Sequence, residues 1–227
     1  MNEDKKVVLV TGAATGIGAS IAKHFLDLGY DVHICDQNTT SLKKFLESYP
    51  KATGSICDVS SSVEVKETIN DLEVHYGKLD VLINNAGISG GTALTENISL
   101  EDWNDTINVN LNGMFYFAKF AIPLLKKNKR ASVINISSTA GLFGVPQRSP
   151  YAASKWGVIG FTKTLAMELG PNQINVNAIC PGCVDGERIE GVIEADAKES
   201  GYSYQQIKDV YLRQSSCLLY TSDAADE

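Results

Sequence analysis

Long apolar runs are missing from this 227-residue chain. It nowhere approaches the ~18 consecutive apolar residues that cross a bilayer, so no membrane span is expected. Residues 1–6 mix acids and bases ahead of Val7, Val8, Leu9 and Val10, a run too short for a secretory signal core. Positive charge is in deficit as well: 20 Lys and Arg stand against 27 Asp and Glu, a net charge of −7. A nucleic-acid binder needs a basic stripe to displace counterions, and an anionic membrane surface repels the same balance, so neither is an expected partner. The cysteines, at 35, 57, 180, 183 and 217, are odd in number and scattered, which is not a secreted disulfide framework. A cytoplasmic protein is expected. His24, His33 and His75 lack metal-ligand spacing, and no metal is expected. Internal repeats and low-complexity tracts are missing too.

What is there is ordinary globular composition, 44% apolar and 21% charged. A chain of this length buries about 70% of its unfolded surface without staples. Short β-branched runs alternate with segments of helical period. Strands are expected at 7–10, 31–35, 53–57, 79–83, 131–136 and 174–179, and helices near 17–26, 40–48, 62–76, 100–127 and 150–169. Regular alternation predicts an α/β fold, a single doubly wound parallel sheet of Rossmann type with helices on both faces. Such sheets bind ligands at the carboxyl ends of their strands.

The chemistry sits at those ends. Directly after the first strand, T-G-A-A-T-G-I-G at 11–18 places Gly12, Gly16 and Gly18 where strand turns into helix, with Thr15 and Ile17 between them. Glycine permits the tight turn and lets backbone N–H groups approach a pyrophosphate at the helix N-terminus. The spacing differs from G-x-G-x-x-G, so position carries more weight than pattern. Asp36, ending the second strand, is placed to accept hydrogen bonds from the ribose hydroxyls of NAD and to repel a 2′-phosphate. Thr15 offers no cation to such a phosphate, so NAD is expected rather than NADP. Alone, Asp36 would read as a solvated turn residue. Two further strand ends, Asp58 with Val59 and Asn84-Asn85-Ala86-Gly87, carry small or amide side chains that can contact a flat ring or brace the loop beneath it.

Tyr151 and Lys155, in Y-A-A-S-K, lie one turn apart on a helix for which Ser149 is the expected N-cap and Pro150 the first residue. A phenol, with pKa ~10, is a poor base at neutral pH. A nearby ammonium and a helix N-terminus both push it down. Ser138, ending the strand at 131–136 and its exit, can hydrogen-bond a substrate oxygen. A Y-x-x-x-K pair by itself is usually a surface pair; the combination is what points to catalysis.

In these motifs the chain resembles the short-chain dehydrogenase/reductase family over residues 6–182: T-G-x-x-x-G-x-G at 11–18, N-N-A-G at 84–87, Ser138, Y-x-x-x-K at 151–155, and Pro181 with Gly182. The resemblance implies a tetrad of Asn110, Ser138, Tyr151 and Lys155. Tyr151 would transfer the proton, Ser138 orient the carbonyl or alcohol, Lys155 bind the nicotinamide ribose and lower the phenol pKa, and Asn110 hold a relay water. It also implies Asp58 and Val59 near adenine, and Val184 near the carboxamide. Gly186 departs from the Thr that relatives often carry there. Within 183–216, residues 187–216 read as two amphipathic helices, one striped by Ile189, Val192, Ile193 and Ala197, the other by Ile207, Val210 and Tyr211 and opened by a Ser203–Gln206 capping box. The resemblance makes them a substrate lid. It also sets Cys180-Pro-Gly-Cys183 in the family's P-G loop, against a thioredoxin-like redox reading.

The expected function is hydride transfer between NAD(H) and a carbonyl or secondary alcohol. The alternatives are an NADPH-dependent 3-oxoacyl-acyl-carrier-protein reductase and a non-catalytic NAD-binding sensor or scaffold. Apolar Met114, Phe115, Phe117, Phe120 and Ile122 cover more than one face of their helix, and Pro123 is expected to bend it, so a homodimer or homotetramer is expected. Residues 217–227 back-translate without strain to a transposase sequencing adapter read in frame. The domain is therefore expected over 1–216, with the natural protein running on past Ser216 and the fragment losing stability for want of a helix and a last strand.

Overall fold

The computed structural model describes residues 5–184 and 186–214. The segment read as adapter lies outside the described residues. Six strands form one wholly parallel sheet: β1 (Val7–Thr11), β2 (Asp31–Asp36), β3 (Thr53–Ile56), β4 (Val81–Asn84), β5 (Ala131–Ile136) and β6 (Ile174–Ile179), in the order β3-β2-β1-β4-β5-β6. The chain direction of travel across the sheet reverses between β1 and β4, which opens a crevice at their carboxyl ends.

Alternation along β1 shows how the sheet is sealed on both faces. Val7 and Leu9 join one core cluster, with Leu72, Leu82, Phe117, Leu124 and Leu165. Val8 and Val10 join the other, with Ala22, Leu42, Phe45 and Ile83. All four are buried, as the period-two geometry of a strand covered on both faces requires. Each such side chain contributes about 1.5–3 kcal/mol on burial.

The helices that cover these faces are α1 (Gly16–Asp27), α2 (Thr39–Ser48), α3 (Ser62–Tyr76), α4 (Leu100–Ile107), α5 (Gly113–Leu125) and α6 (Ser149–Leu169). Two more, α7 (Glu187–Ser200) and α8 (Tyr204–Gln214), follow β6. Their starts are chemically marked. Asn38 accepts from Ser41 N–H, Ser61 from Glu64 N–H and Ser99 from Asp102 N–H, and Gly77 closes α3 in the left-handed conformation. Among the described residues no helix is long and apolar enough to cross a membrane.

Three expectations are corrected. The helix expected over 100–127 is broken: after α4 a π-helical turn spans Asn108–Asn112 before α5 begins. The N-cap of α6 is Arg148, which shifts Ser149 and Pro150 one place into the helix. The fourth strand starts at Val81, and Asp80 just before it binds Val7 with both its backbone N–H and its carboxylate, the latter accepting from Val7 N–H at 2.8 Å.

Candidate active site

Gly12 and Gly16 both have positive φ, +59° and +58°. A Cβ on Gly12 would lie 2.8 Å from Ala86 Cα, and one on Gly18 would lie 2.5 Å from the Gly12 carbonyl oxygen. The turn is thus packed until only glycine fits. Asn85 secures it by donating to the carbonyls of Thr11 and Gly12, both at 2.9 Å. Thr11 Oγ1 accepts from the N–H groups of Asn85 and Ala86. Thr15, the N-cap of α1, makes no side-chain cap bond, and the first turn holds no acid, so the positive end of α1 is left for an anion. Ile17 is half-buried just inside it.

Asp36 closes the next strand end. One carboxylate oxygen accepts from Ala14 N–H at 3.0 Å and the other from Asn38 N–H at 2.9 Å, which ties β2 to the glycine turn. Below it, buried Cys35 shares a hydrogen bond with the Cys57 thiol, which pushes the Cys35 thiol up. Asp58 binds Ser60 through N–H and hydroxyl. Val59 is buried, and its carbonyl is packed so closely on Gly113 that a Cβ there would approach to 2.9 Å. Asn84 departs from the other candidates: it is buried in the sheet and donates to Asn135 Oδ1 at 2.8 Å, so its side chain braces β4 against β5.

Lys155 is 2% exposed, an unusual place for an ammonium. Its Nζ donates to the Ile136 carbonyl at 2.9 Å and lies 5.7 Å from the centre of the Tyr151 ring. Asn110 is fully buried in the π turn, where widened helices often mark functional positions. Its Oδ1 accepts from Ile88 N–H at 2.7 Å, and its Nδ2 donates to the Ile88 carbonyl and to Ser154 Oγ. Ser154 in turn donates to the Tyr151 carbonyl. A Cβ built on Gly87 would meet Asn110 Oδ1 at 3.1 Å and Lys155 Nζ at 3.6 Å, so Gly87 lets these two side chains meet. Ser138 stands two residues beyond Ile136 and caps a short turn by accepting from Ala140 N–H. The Pro181 carbonyl accepts from Thr139 N–H beside it, and Gly182 and Val184 continue that half-buried loop. Cys180 and Cys183 stand as thiols.

The two helices after β6 bury Val192 and Ile193. The Ser203–Gln206 capping box forms, with Ser203 N–H donating to Gln206 Oε1 at 2.9 Å and Gln206 N–H to Ser203 Oγ at 3.3 Å. Sequence reasoning missed several residues here. Asn85 and Ser154 lay inside motifs already noted. Arg148, three before Tyr151, places its guanidinium carbon 5.7 Å over the Tyr151 ring. It also pairs with Asp196 of α7 at 3.6 Å, and Tyr211 of α8 donates to Asp196. Burial, then that hydrogen bond, pushes the Tyr211 phenol up. Arg148 was readable from its spacing to Tyr151; Asp196 and Tyr211 reach it only through tertiary packing.

Comparison with known proteins places this arrangement. Residues 6–197 match the family model described as short chain dehydrogenase. A 3-oxoacyl-[acyl-carrier-protein] reductase of Thermotoga maritima is 40% identical over 207 residues, which cover 89% of this chain and 83% of that protein. A putative ketoacyl reductase of Streptomyces coelicolor is 41% identical over 189 residues, covering 81% of this chain and 72% of the relative. Among solved structures, an actinorhodin polyketide ketoreductase variant with NADPH superposes with a TM-score of 0.89 at 35% identity, over 95% of this chain and 84% of the other. An NAD+-bound xylitol dehydrogenase superposes at 0.88 with 28% identity, over 94% and 86%.

Proposed function

The chain belongs to the short-chain dehydrogenase family, and from that premise we propose that it is an NAD(H)-dependent oxidoreductase interconverting a carbonyl and a secondary alcohol, with Tyr151 as the proton-transferring group. The observation that carries this reading is a partly exposed Tyr151 with the buried Lys155 ammonium 5.7 Å from its ring, beside the glycine turn.

The site fits a dinucleotide. Gly12 and Gly18 let the turn close tightly on Ala86 and on itself, Gly16 leaves open space at positive φ, and the N-terminus of α1 is open to a pyrophosphate. Thr15, Ile17, Asp36, Asp58, Val59, Ala86, Gly87, Pro181, Gly182 and Val184 line the remainder in our assignment, with Asn84 acting as a brace beneath them. The bound nicotinamide supplies or takes the hydride. Everything else falls to this chain. In reduction, Tyr151 Oη gives its proton to the substrate oxygen while Ser138 Oγ hydrogen-bonds the same oxygen; in oxidation, Tyr151 takes the proton back. Lys155 holds the ribose, with its ammonium 5.7 Å from the centre of the Tyr151 ring. Both amide donors of Asn110 are already used, so we assign it to positioning Ile88 and Ser154 in the relay.

Asp36 and Thr15 support NAD over NADP: one is a like charge facing a 2′-phosphate, the other offers that phosphate no cation. A second reading, a reductase of 3-oxoacyl groups on a carrier protein using NADPH, is favoured by the 40% identity to the Thermotoga maritima protein. Helices α7 and α8 act as a lid in this proposal. Phe115, Trp156 and Met167 are 45%, 52% and 81% exposed on α5 and α6, which supports a homodimer or homotetramer through these helices. Light scattering at working concentration tests that: a monomer overturns it.

The decisive experiment for function is turnover of secondary alcohols with NAD+ and NADP+, and of 3-oxoacyl thioesters with NADH and NADPH. Preference for NAD+ with alcohols supports the first reading. Preference for NADPH with the thioesters replaces it with the second, and cofactor binding without turnover of either class leaves only a sensor.

A further inference from the structure

Asn110 and Ser154, which reaches the Tyr151 carbonyl, are hydrogen-bonded throughout. A second polar cluster, with Arg148 over the Tyr151 ring, is incomplete. Arg148 is 5% exposed, and its two terminal nitrogens donate to Thr92 Oγ1 at 3.2 Å and to the Ser89 carbonyl at 3.4 Å. Asp196 answers its charge from 3.6 Å, and Tyr211 donates to the other oxygen of that carboxylate. Yet Arg148 Nε, Ser149 Oγ and Asp196 Oδ1 are all buried with no hydrogen-bond partner among the described residues. An unfilled buried polar atom costs about 1–3 kcal/mol, so such atoms ask for an occupant. These three belong to residues that are consecutive or in ionic contact, and the guanidinium lies over the ring of the proposed proton donor.

The chemistry of the three atoms restricts what fills them. Nε only donates, the carboxylate oxygen only accepts, and the serine hydroxyl does either. An alkyl chain would leave all three bare. A carboxylate would accept from Arg148 but would face the charge of Asp196 and leave its oxygen without a donor. A neutral hydroxyl accepts from Nε and donates to Oδ1 at once. We infer that the substrate carries a second, neutral hydroxyl group a few bonds from the reacting carbon, received by Arg148 Nε, Ser149 Oγ and Asp196 Oδ1. The inference rests on the reading of Tyr151 as the proton-transferring group, since that reading puts the reacting carbon beside this cluster. It also assigns the lid a part in specificity, because Asp196 comes from α7.

The test compares vicinal cyclohexanediol, cyclohexanol and hydroxycyclohexanecarboxylate by calorimetry in the presence of NADH, where binding is read without turnover. Sites that hydrogen-bond a substrate hydroxyl reject the analogue lacking it strongly, so the diol is expected to bind at least about tenfold tighter than cyclohexanol. That ratio should fall toward one in Arg148→Leu and Asp196→Asn. Should Arg148→Leu unseat the lid, Ser149→Ala removes an atom with no protein partner and still reads the ratio, which should drop. Equal affinity for diol and cyclohexanol, a ratio unchanged in all three variants, or tighter binding of the carboxylate overturns the inference. Oxidation of cyclohexanol by NAD+ tests the Tyr151 reading separately, because that substrate has no second hydroxyl.

Discussion

Two polar clusters flank Tyr151, and they differ in how completely their atoms are used. Asn110 and Ser154 bind Ile88, each other and the Tyr151 backbone, with every amide donor engaged. Arg148 is buried and Ser149 and Asp196 are half-buried, yet three of their polar atoms are buried and unfilled. Burial makes a missing hydrogen bond expensive, so the first cluster is built to stay fixed and the second to be completed by something that arrives. Machinery and receptor thereby meet at one tyrosine but differ in how they are finished.

The sharpest way to break this contrast is to remove the group between the clusters. Tyr151→Phe should lower kcat by about 10²–10⁴-fold while NADH affinity, read by nicotinamide fluorescence, stays within about twofold. Retained turnover would mean that neither cluster serves this phenol. Next in size, Asn110→Ala strands the Ile88 N–H and carbonyl and should cost roughly 2–4 kcal/mol in urea unfolding. Ser149→Ala, on the unfilled side, removes an unpartnered buried atom and should raise stability, by up to about 1–3 kcal/mol. Equal losses would erase the distinction.

A buried polar group far from the site extends the comparison. His33 is bonded by Thr53 Oγ1 at 2.8 Å and Ser55 Oγ at 3.0 Å, and burial lowers its pKa to about 4. The folded state keeps the ring neutral, whereas the unfolded chain takes up a proton below about pH 6.5. Stability should therefore fall as pH drops from about 6.5 to about 4 and then level off, by about 3 kcal/mol in all. Unfolding free energy measured across that window should show the slope, and His33→Gln should flatten it. A smaller effect is expected at Asp36, whose carboxylate is held by Ala14 and Asn38. Asp36→Ala should cut the NAD+ over NADP+ preference in kcat/KM by about tenfold, equivalent to ~1.4 kcal/mol. An unchanged preference removes Asp36 from cofactor choice.

Of the first cluster only Asn110 was legible, through the family resemblance, and of the second almost nothing was. Strand alternation, the glycine turn and the Tyr151–Lys155 spacing are local signals, and a doubly wound parallel sheet follows from the regular alternation of strands and helices. The break at Asn108–Asn112 went unread because the phase shift from one inserted residue is confined to a single turn, too short a stretch for periodicity to report. Asn84 and Asn85 looked alike, yet one faces into the sheet and the other toward the turn, a difference set by strand parity. Arg148, Asp196 and Tyr211 meet across 48 and 15 residues of chain, and nothing short of packing announces that.

The most direct measurement follows a labelled hydrogen. A secondary alcohol deuterated at the carbinol carbon, incubated with NAD+ and the protein, should yield reduced nicotinamide carrying the deuterium in its ring, and Tyr151→Phe should suppress that transfer. Label that appears only in solvent, or transfer undiminished in the variant, would contradict the account.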